Sequence, residues 1–423
     1  MKSIKYFLIL TLGFILAQSC TNEEDDLFNA PSAERMNAAL KEAKETLIAA
    51  PNGWLMEYYA EKEPQKMGGF TYFCKFDENL NVEIATEVST SNYPAKTKVK
   101  SMYGLIADMG PVLTFNTYNE IFHLFSEPRS SNDRDGDAGD YEFILDEVTP
   151  DTILMRGKRY GNKIVMTRLD ESVNWDAYID AVLEMDNKAY YPEYKLIVNG
   201  QEVGFVTQDY NTRLFSFYIS DASFIASQNG LYTPEGIRFY EPVTIDGVTI
   251  ANMEWDVTTK TFKSDNVVFE GYYPEDYRPY EEFIGTYSFS WTDYNGANNV
   301  STATLKPLIE NQSFIISGTV PFDYKMTYDR STGRIYVASQ LVRDYGDFSL
   351  HIFNWMGGTS LNLGTDFKYI AEDDHHPTNP TLTFKSNTLG SSHIGYLFII
   401  LENNIYYLYD YKAFFSNVVM KKQ

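Results

Sequence analysis

The sequence predicts a mainly β protein: a β-rich α+β chain of antiparallel sheets, arranged as barrel or sandwich domains, with two short helices in the N-terminal part. Three observations predict this. Apolar residues alternate with polar ones at a period of two through most of the chain. Turn residues such as Asn199-Gly200 punctuate the alternating runs. The 33 tyrosines, 28 phenylalanines and 5 tryptophans belong to the residue types that favour strands.

The chain starts on a different pattern. Lys2 and Lys5 precede an apolar run from Tyr6 to Ala17, and Gln18-Ser19-Cys20 follows. A basic start, a short apolar stretch and a small residue make a secretory signal over 1–19. The run is shorter than the roughly 20 residues a bilayer span needs. Cys20, directly after the small residue, resembles a bacterial lipobox, with Ala17 where leucine is commoner. The resemblance implies a lipid anchor at Cys20 and an outer-membrane location. Residues 20–32 form the anchor and an acidic tether. Within it, Glu23, Glu24, Asp25 and Asp26 resemble the export signal of Bacteroidetes surface lipoproteins, which implies a chain facing outside the cell.

Cleavage before Cys20 leaves 404 of the 423 residues, enough for two or three domains. Without the leader the net charge falls from −23 to −25, because two of the 35 basic residues leave with it. Such a chain repels nucleic acid. Cys74 is then the sole free thiol, so a disulfide framework and a cysteine-rich zinc site are excluded. Its place in an alternating run reads as a small buried hydrophobe.

The domain expected over 33–270 is β-rich, with halves at 33–168 and 169–270. Met36, Leu40, Ala43 and Leu47 recur at helical spacing over 33–50, with Ser32 as the cap and Pro51-Asn52-Gly53 as the stop. Strands follow at 54–59, 70–76, 82–88, 97–103, 112–115, 121–125, 141–145, 152–156 and 163–167. A second helix is expected over 170–185, capped by Asp170, with Trp175, Tyr178, Ile179, Val182 and Met185 on its apolar face. Strands at 194–198, 203–207, 214–219, 236–239, 248–255 and 261–263 come next. Pro274 and Pro279 mark 272–280 as a linker. The domain expected over 281–423 is all β, a barrel or sandwich, with strands at 283–291, 303–309, 313–318, 324–328, 335–338, 349–355, 381–384, 394–401, 404–409 and 417–420. Its Gly285-Thr286-Tyr287 start and strand count resemble lipocalin-like barrels.

The most distinctive stretch runs from Gly110-Pro-Val-Leu-Thr-Phe to Phe125-Ser-Glu-Pro128. With Gly53-Trp54, Gly68-Gly69-Phe70, Gly139-Asp-Tyr-Glu-Phe143, Met155-Arg-Gly-Lys158 and Phe239-Tyr-Glu-Pro242, it resembles an uncharacterised family of Bacteroidetes surface lipoproteins over roughly 20–270. Its members resemble accessory lipoproteins that accompany outer-membrane importers of the starch-utilisation type and handle glycans or peptides. The resemblance therefore implies a glycan or peptide ligand and an importer complex as partner. It carries no catalytic residue.

Candidate chemistry is sparse. Asp133, Asp135 and Asp137 alternate in a glycine-containing loop that ends at Asp140, a donor set suited to calcium. Ala138 stands where the EF-hand has glycine, and the closing glutamate is missing, so an acidic turn is the competing reading. His123 reads as a structural histidine. Glu372-Asp-Asp-His-His376 reads as a surface loop. No zinc-protease helix, nucleophile elbow or phosphate-binding loop is present. The sequence therefore predicts a non-catalytic accessory binding protein for nutrient uptake. A surface hydrolase with paired carboxylates and a structural or adhesive surface protein are the alternatives.

Overall fold

The computed structural model describes residues 31–60, 67–128, 134–355, 361–362, 368–386, 395–403, 405–410 and 413–423. Among the described residues thirty antiparallel strands build three sheets, and contacts divide these residues into two units, one running up to Tyr58 and from Tyr72 to Val173, the other from Tyr59 to Thr71 and from Asn174 to Gln423.

In the first unit the helix Ser32–Ile48 buries Ala43 and Leu47. Ser32 lies in its first turn instead of capping it; Pro31 holds the cap position and gives no side-chain hydrogen bond. Pro51 to Gly53 stop the helix as expected. Gly53 has φ +82°, and a Cβ there would lie 2.6 Å from the Cys74 carbonyl oxygen, so only glycine fits.

The first sheet has nine strands: β1 Trp54–Ala60, β2 Met67–Phe76, β3 Asn81–Thr86, β4 Val99–Met102, β5 Gly104–Asp108, β6 Gly110–Thr114, β7 Glu142–Val148, β8 Thr152–Gly157 and β9 Lys163–Arg168. Their order is β4-β3-β2-β1-β9-β8-β7-β6-β5. Cys74 is fully buried on β2, and burial pushes its thiol pKa up, as suits an inert hydrophobe.

The expected strand at 121–125 is instead a helical turn, Glu120–His123, followed by a 3-10 turn, Leu124–Ser126. Ile121, Phe122 and Phe125 are all buried. Burying two consecutive residues and a third at helical spacing defeats strand alternation. Phe122 packs on Phe115 with ring centroids 3.9 Å apart, and on Tyr58 and Tyr72. The Tyr58 hydroxyl donates to the Asp140 carbonyl at 2.9 Å, and that of Tyr72 to the Ile121 carbonyl at 2.9 Å.

The helix Trp175–Ala189 starts later than expected. Asn174 is the cap and accepts from Ala177 N–H at 3.0 Å. Asp170 spends its carboxylate on Ser172, binding that residue's N–H and hydroxyl. Two competing polar residues stand before the helix, and the later one adjoins the apolar face.

This helix lays Val182 and Ala189 on the core of a closed eight-stranded barrel. Its strands are β10 Glu193–Val198, β11 Gln201–Asp209, β12 Leu214–Ile219, β13 Phe224–Tyr232, β14 Gly236–Ile245, β15 Val248–Asp256, β16 Thr261–Ser264 and β17 Val267–Tyr272. β13 and β17 escape sequence reading; β13 carries the run Ala226-Ser-Gln-Asn-Gly230, which has no apolar alternation. The barrel is filled by side chains, among them Tyr194, Phe215, Phe217, Phe239 and Phe269. The Tyr194 hydroxyl lies 2.9 Å from the Gln208 side-chain oxygen Oε1, and Gln208 Nε2 donates to the Tyr232 hydroxyl at 2.5 Å.

The third sheet has 13 strands. They are β18 Gly285–Thr292, β19 Asn298–Ile309, β20 Ser313–Ser317, β21 Tyr324–Asp329, β22 Arg334–Ala338, β23 Gln340–Asp344, β24 Ser349–Trp355, β25 Leu361–Asn362, β26 Lys368–Asp373, β27 Thr381–Ser386, β28 Gly395–Glu402, β29 Ile405–Leu408 and β30 Phe414–Lys422. Pairing of β18 with β30 closes β18-β19-β20-β21-β22-β26-β27-β30 into a ring, and β28, β24 and β23 extend from β30. Inside it the Tyr324 and Tyr396 hydroxyls share a hydrogen bond of 2.8 Å.

The segment 272–280, read as a linker, leaves Tyr273, Glu275 and Asp276 exposed but buries Arg278 and Tyr280. Arg278 is 4% exposed. It ion-pairs with Asp373 and donates to Glu282 at 2.7 Å and to the His376 carbonyl at 3.1 Å. Among the described residues no helix is long and apolar enough to cross a membrane.

His123 gives a pH test. Burial, opposed by its hydrogen bond to Asn119 and by Glu127, holds its pKa below the ordinary 6.5. The unfolded chain therefore takes up the proton more readily than the folded one. Stability from the neutral ring is present above about pH 6.5 and is lost as pH falls through the depressed value. Thermal unfolding between pH 7 and pH 5 should show a steeper loss in the wild type than in His123→Gln. Parallel curves for the two would show that the ring carries no such linkage.

Candidate functional site

Of the residues that the sequence singles out, Cys20, Glu23, Glu24, Asp25, Asp26 and Asp133 lie outside the described residues. Asp135 pairs with Arg159 at 2.6 Å. Asp140 accepts from the N–H groups of Arg159 and Tyr160, both at 2.9 Å. Ala138 does adopt a glycine-like conformation, φ +57°, and is buried. Asp137 N–H donates to the Phe125 carbonyl at 2.9 Å. Among the described residues no group of three or more His, Cys, Asp or Glu side chains is placed to hold a metal ion.

The loop at 372–376 begins on a strand, since β26 runs to Asp373. The two histidines go separate ways. His375 Nδ1 lies 3.9 Å from Asp373, whereas His376 Nδ1 accepts from Asn379 N–H at 3.1 Å within its own turn.

A cavity lies elsewhere, in the second unit, and its volume is about 330 Å³. Register builds one wall. Ser313 on β20, Thr327 on β21 and Tyr336 on β22 stand opposite one another in a single cross-strand row. Paired residues share a face of the sheet. Lys325 is two residues from Thr327 on that face, and Lys368 lies on the next strand, β26. The intervening Tyr324, Met326, Ile335, Val337 and Tyr369 turn inward and fill the ring. The turn after β19 adds Ile309, Asn311 and Gln312, and the β11–β12 hairpin adds Tyr210 and Asn211.

Two cations sit on tyrosine faces. Lys368 Nζ is 4.5 Å from the Tyr336 ring centroid. Arg330 lies between Tyr190 and Tyr210, 4.5 Å from each centroid. Its Nη2 also donates to the Asp186 and Asn187 carbonyls at 3.2 Å, in the last turn of the helix Trp175–Ala189, where cations are favoured. Burial opposes the charge on Arg330, but Asp186 and Tyr210 outweigh it and its pKa is raised. Burial likewise raises the pKa of Tyr328, which donates to the Tyr277 hydroxyl at 2.9 Å, and keeps it neutral.

Ser313 is 4% exposed, and its hydroxyl has no hydrogen-bond partner among the described residues. Buried polar groups are almost always satisfied, but this oxygen is itself buried and closed to an occupant of the cavity. Asp329 is the sole carboxylate of the lining, and its Oδ1 already binds Ser331 N–H and hydroxyl. The arrangement offers aromatic faces, amides and fixed cations: a binding surface without a carboxylate pair. Sequence reasoning missed all of it. The lining runs from residue 210 to 368 with no motif, and only strand register brings it together.

Arg330→Gln should destabilise the protein by about 2–4 kcal/mol, from lost cation–π contacts and carbonyl hydrogen bonds. Urea denaturation measures this. A change under about 0.5 kcal/mol, the range of ordinary surface substitutions, would show that Arg330 does not hold the cavity wall.

Comparison with known proteins finds no curated protein that matches at a significant level. Among solved structures, a mutant of the vaccine antigen transferrin binding protein B from Haemophilus parasuis aligns at 10% identity over 88% of this chain and 74% of that one, with a TM-score of 0.14. A mosquitocidal holotoxin aligns at 9% identity over 88% and 67%, with a TM-score of 0.13. Scores this low show no shared fold, and neither carries an argument. Family profiles do match. Residues 261–401 match a domain of unknown function, DUF4987, and the join with the preceding match falls at the turn between β15 and β16. The preceding match covers more than half of the chain, residues 24–257: this protein belongs to the family of the domain of unknown function DUF4302.

Proposed function

We propose that this chain is a non-catalytic surface lipoprotein, held to the outer membrane by lipid at Cys20 and facing outside the cell, that binds a glycan in the Tyr210–Tyr336 cavity. The observation that carries the reading is the make-up of the cavity. Tyrosine rings suit the C–H faces of sugars, and Asn211, Asn311 and Gln312 suit their hydroxyl groups. Its volume falls at the small end of ligand cavities, which span about 300–1,000 Å³. Extended peptides are commonly held by main-chain pairing at a sheet edge, whereas the strands that form this wall are already paired on both sides. A glycosidase needs two carboxylates across the bond it breaks, and this lining has one. As a surface binding protein, the chain would hand its ligand to an outer-membrane importer of the starch-utilisation type.

Two measurements test this. Cys20→Ala should move the protein out of the detergent phase of fractionated membranes; a mature-sized product that still partitions there would end the lipid-anchor reading. Against a panel of oligosaccharides, at least one should bind the wild type, and Tyr336→Ala should weaken it by about tenfold, on the order of one aromatic contact. A flat panel, or a Tyr336→Ala variant that binds like the wild type, would remove the cavity as the site.

A further inference from the structure

The strand β29, with Tyr409 after it, leaves both of its faces open. Ile405, Tyr406, Tyr407, Leu408 and Tyr409 are between 37% and 53% exposed. Successive side chains of a strand point to opposite faces, so a strand of apolar residues normally buries at least one face. None of these five residues is charged, in a chain with 35 basic and 58 acidic residues. Among the described residues β29 pairs with β28 alone, which leaves its other edge without a ladder. An apolar edge of this kind is a template for a further strand. We infer that β29 pairs with β29 of a second copy of this chain, antiparallel, about a two-fold axis at Tyr407.

Register decides which main-chain groups are on offer. The Tyr409 N–H donates to the Phe398 carbonyl at 3.3 Å, so Tyr409 turns its main chain toward β28. In a strand these groups alternate in side from one residue to the next. Ile405 and Tyr407, opposite Glu402 and Ile400, therefore turn to β28 as well. The N–H and carbonyl groups of Tyr406 and Leu408 turn outward, to the side on which no described strand lies.

The sequence fits its own reverse. With Tyr407 on the axis, Tyr406 meets Leu408 of the second copy, and the two exchange both N–H···O=C bonds. Symmetry repeats the exchange on the other side of the axis. Tyr407 faces its own copy in a non-hydrogen-bonded pair, where side chains come closest. Ile405 stands opposite Tyr409. Every cross-strand pair is aromatic on aromatic or aromatic on aliphatic, and no like charges oppose each other. The strands β23-β24-β28-β29 of the two copies then run as one continuous sheet.

The strand is held for this from both faces. Tyr406 packs on Phe353, with ring centroids 5.9 Å apart, and Phe353 belongs to a buried cluster with Trp355, Leu397, Ile399 and Phe414. Tyr409 packs edge-on to Phe322 at 5.2 Å. A lipid surface is the other host for exposed apolar side chains, but it would leave the outward N–H and carbonyl groups without partners, which is costly in hydrocarbon. A second strand satisfies them. The edge is short against the roughly 800 Å² per partner of a standard interface, so the dimer forms as concentration rises.

Sedimentation velocity of the purified full chain over about a hundredfold range of concentration tests this, since association follows mass action. The wild type should pass from monomer to dimer. Tyr407→Lys sets like charges directly opposite each other and should stay monomeric. Leu408→Pro removes an outward N–H only, a place where an edge strand tolerates proline, and should stay monomeric too. Melting curves at low concentration would establish that both variants are folded. Mild oxidation of Tyr407→Cys should give a covalent dimer beyond any that the wild type forms through Cys20 and Cys74, because facing positions lie within disulfide reach. Tyr406→Cys, displaced along the strand from its own copy, should not. A wild type that is monomeric throughout, with no covalent dimer from Tyr407→Cys, would overturn the inference. So would a dimer that survives both Tyr407→Lys and Leu408→Pro, which would place the contact elsewhere. Equal crosslinking of Tyr406→Cys and Tyr407→Cys would overturn the axis at Tyr407. A monomeric wild type that sediments with phosphatidylcholine vesicles, and a Tyr407→Lys variant that does not, would overturn self-pairing in favour of a lipid surface.

Discussion

The second unit depends on one buried cation. Arg330 sits at the β21–β22 turn, yet it touches the barrel hairpin through Tyr210 and the end of the helix Trp175–Ala189 through two carbonyls. Taking a guanidinium out of water costs several kcal/mol. Two cation–π contacts of about 2 kcal/mol each, with a helix C-terminus worth up to about 2 kcal/mol, offset that cost. The balance holds only if both rings and both carbonyls are in place together. One side chain thereby fixes three elements, and the cavity they line inherits that fixed geometry. Arg213 repeats the device: it lies over Phe70 and Tyr232, donates to the Gly69 carbonyl at 2.7 Å and pairs with Asp186 at 3.6 Å. Asp186 thus counters two buried cations.

Tyrosine sets a second constraint. Tyr58, Tyr72, Tyr194, Tyr232, Tyr287, Tyr324 and Tyr396 are all buried, and each needs a partner for its hydroxyl. Most of these partners are backbone carbonyls at the end of a neighbouring element. Tyr194 reaches Ala189 at 2.6 Å and Tyr287 reaches Phe283 at 2.7 Å. A hydroxyl tied to a chain end specifies where the next element begins, which an apolar ring of the same size would not do. The aromatic content therefore does more than favour strands.

Legibility followed the range of the interaction. Alternation is local, so β12 (Leu214–Ile219) and β24 (Ser349–Trp355) were readable to the residue. The turn at Asn199-Gly200 was readable too, both residues having positive φ. Capping was half readable, because Asp170 and Asn174 offer the same chemistry and only the packing of Trp175 decides between them. The run 121–125 was misread because burial of Phe122 and Phe125 is dictated by Tyr58 and Tyr72, some fifty residues or more away. Arg278, in a proline-bearing stretch, looked like solvent-facing linker until Asp373, 95 residues on, supplied its partner. The cavity was the extreme case. Its tyrosines and lysines are ordinary strand residues in sequence, and their meeting is a property of register alone.

Net charge and local charge act at different distances. At physiological salt the field of an acidic chain fades over about 8 Å, so its net charge of −23 governs solubility and long-range encounter more than contact. Inside the cavity the nearest charges dominate, and three of the four are positive. Clustering cations in such a chain is also inexpensive. The tyrosine faces beneath Arg330 and Lys368 stabilise them at short range. The acidic composition and the cationic cavity are therefore compatible parts of one electrostatic design.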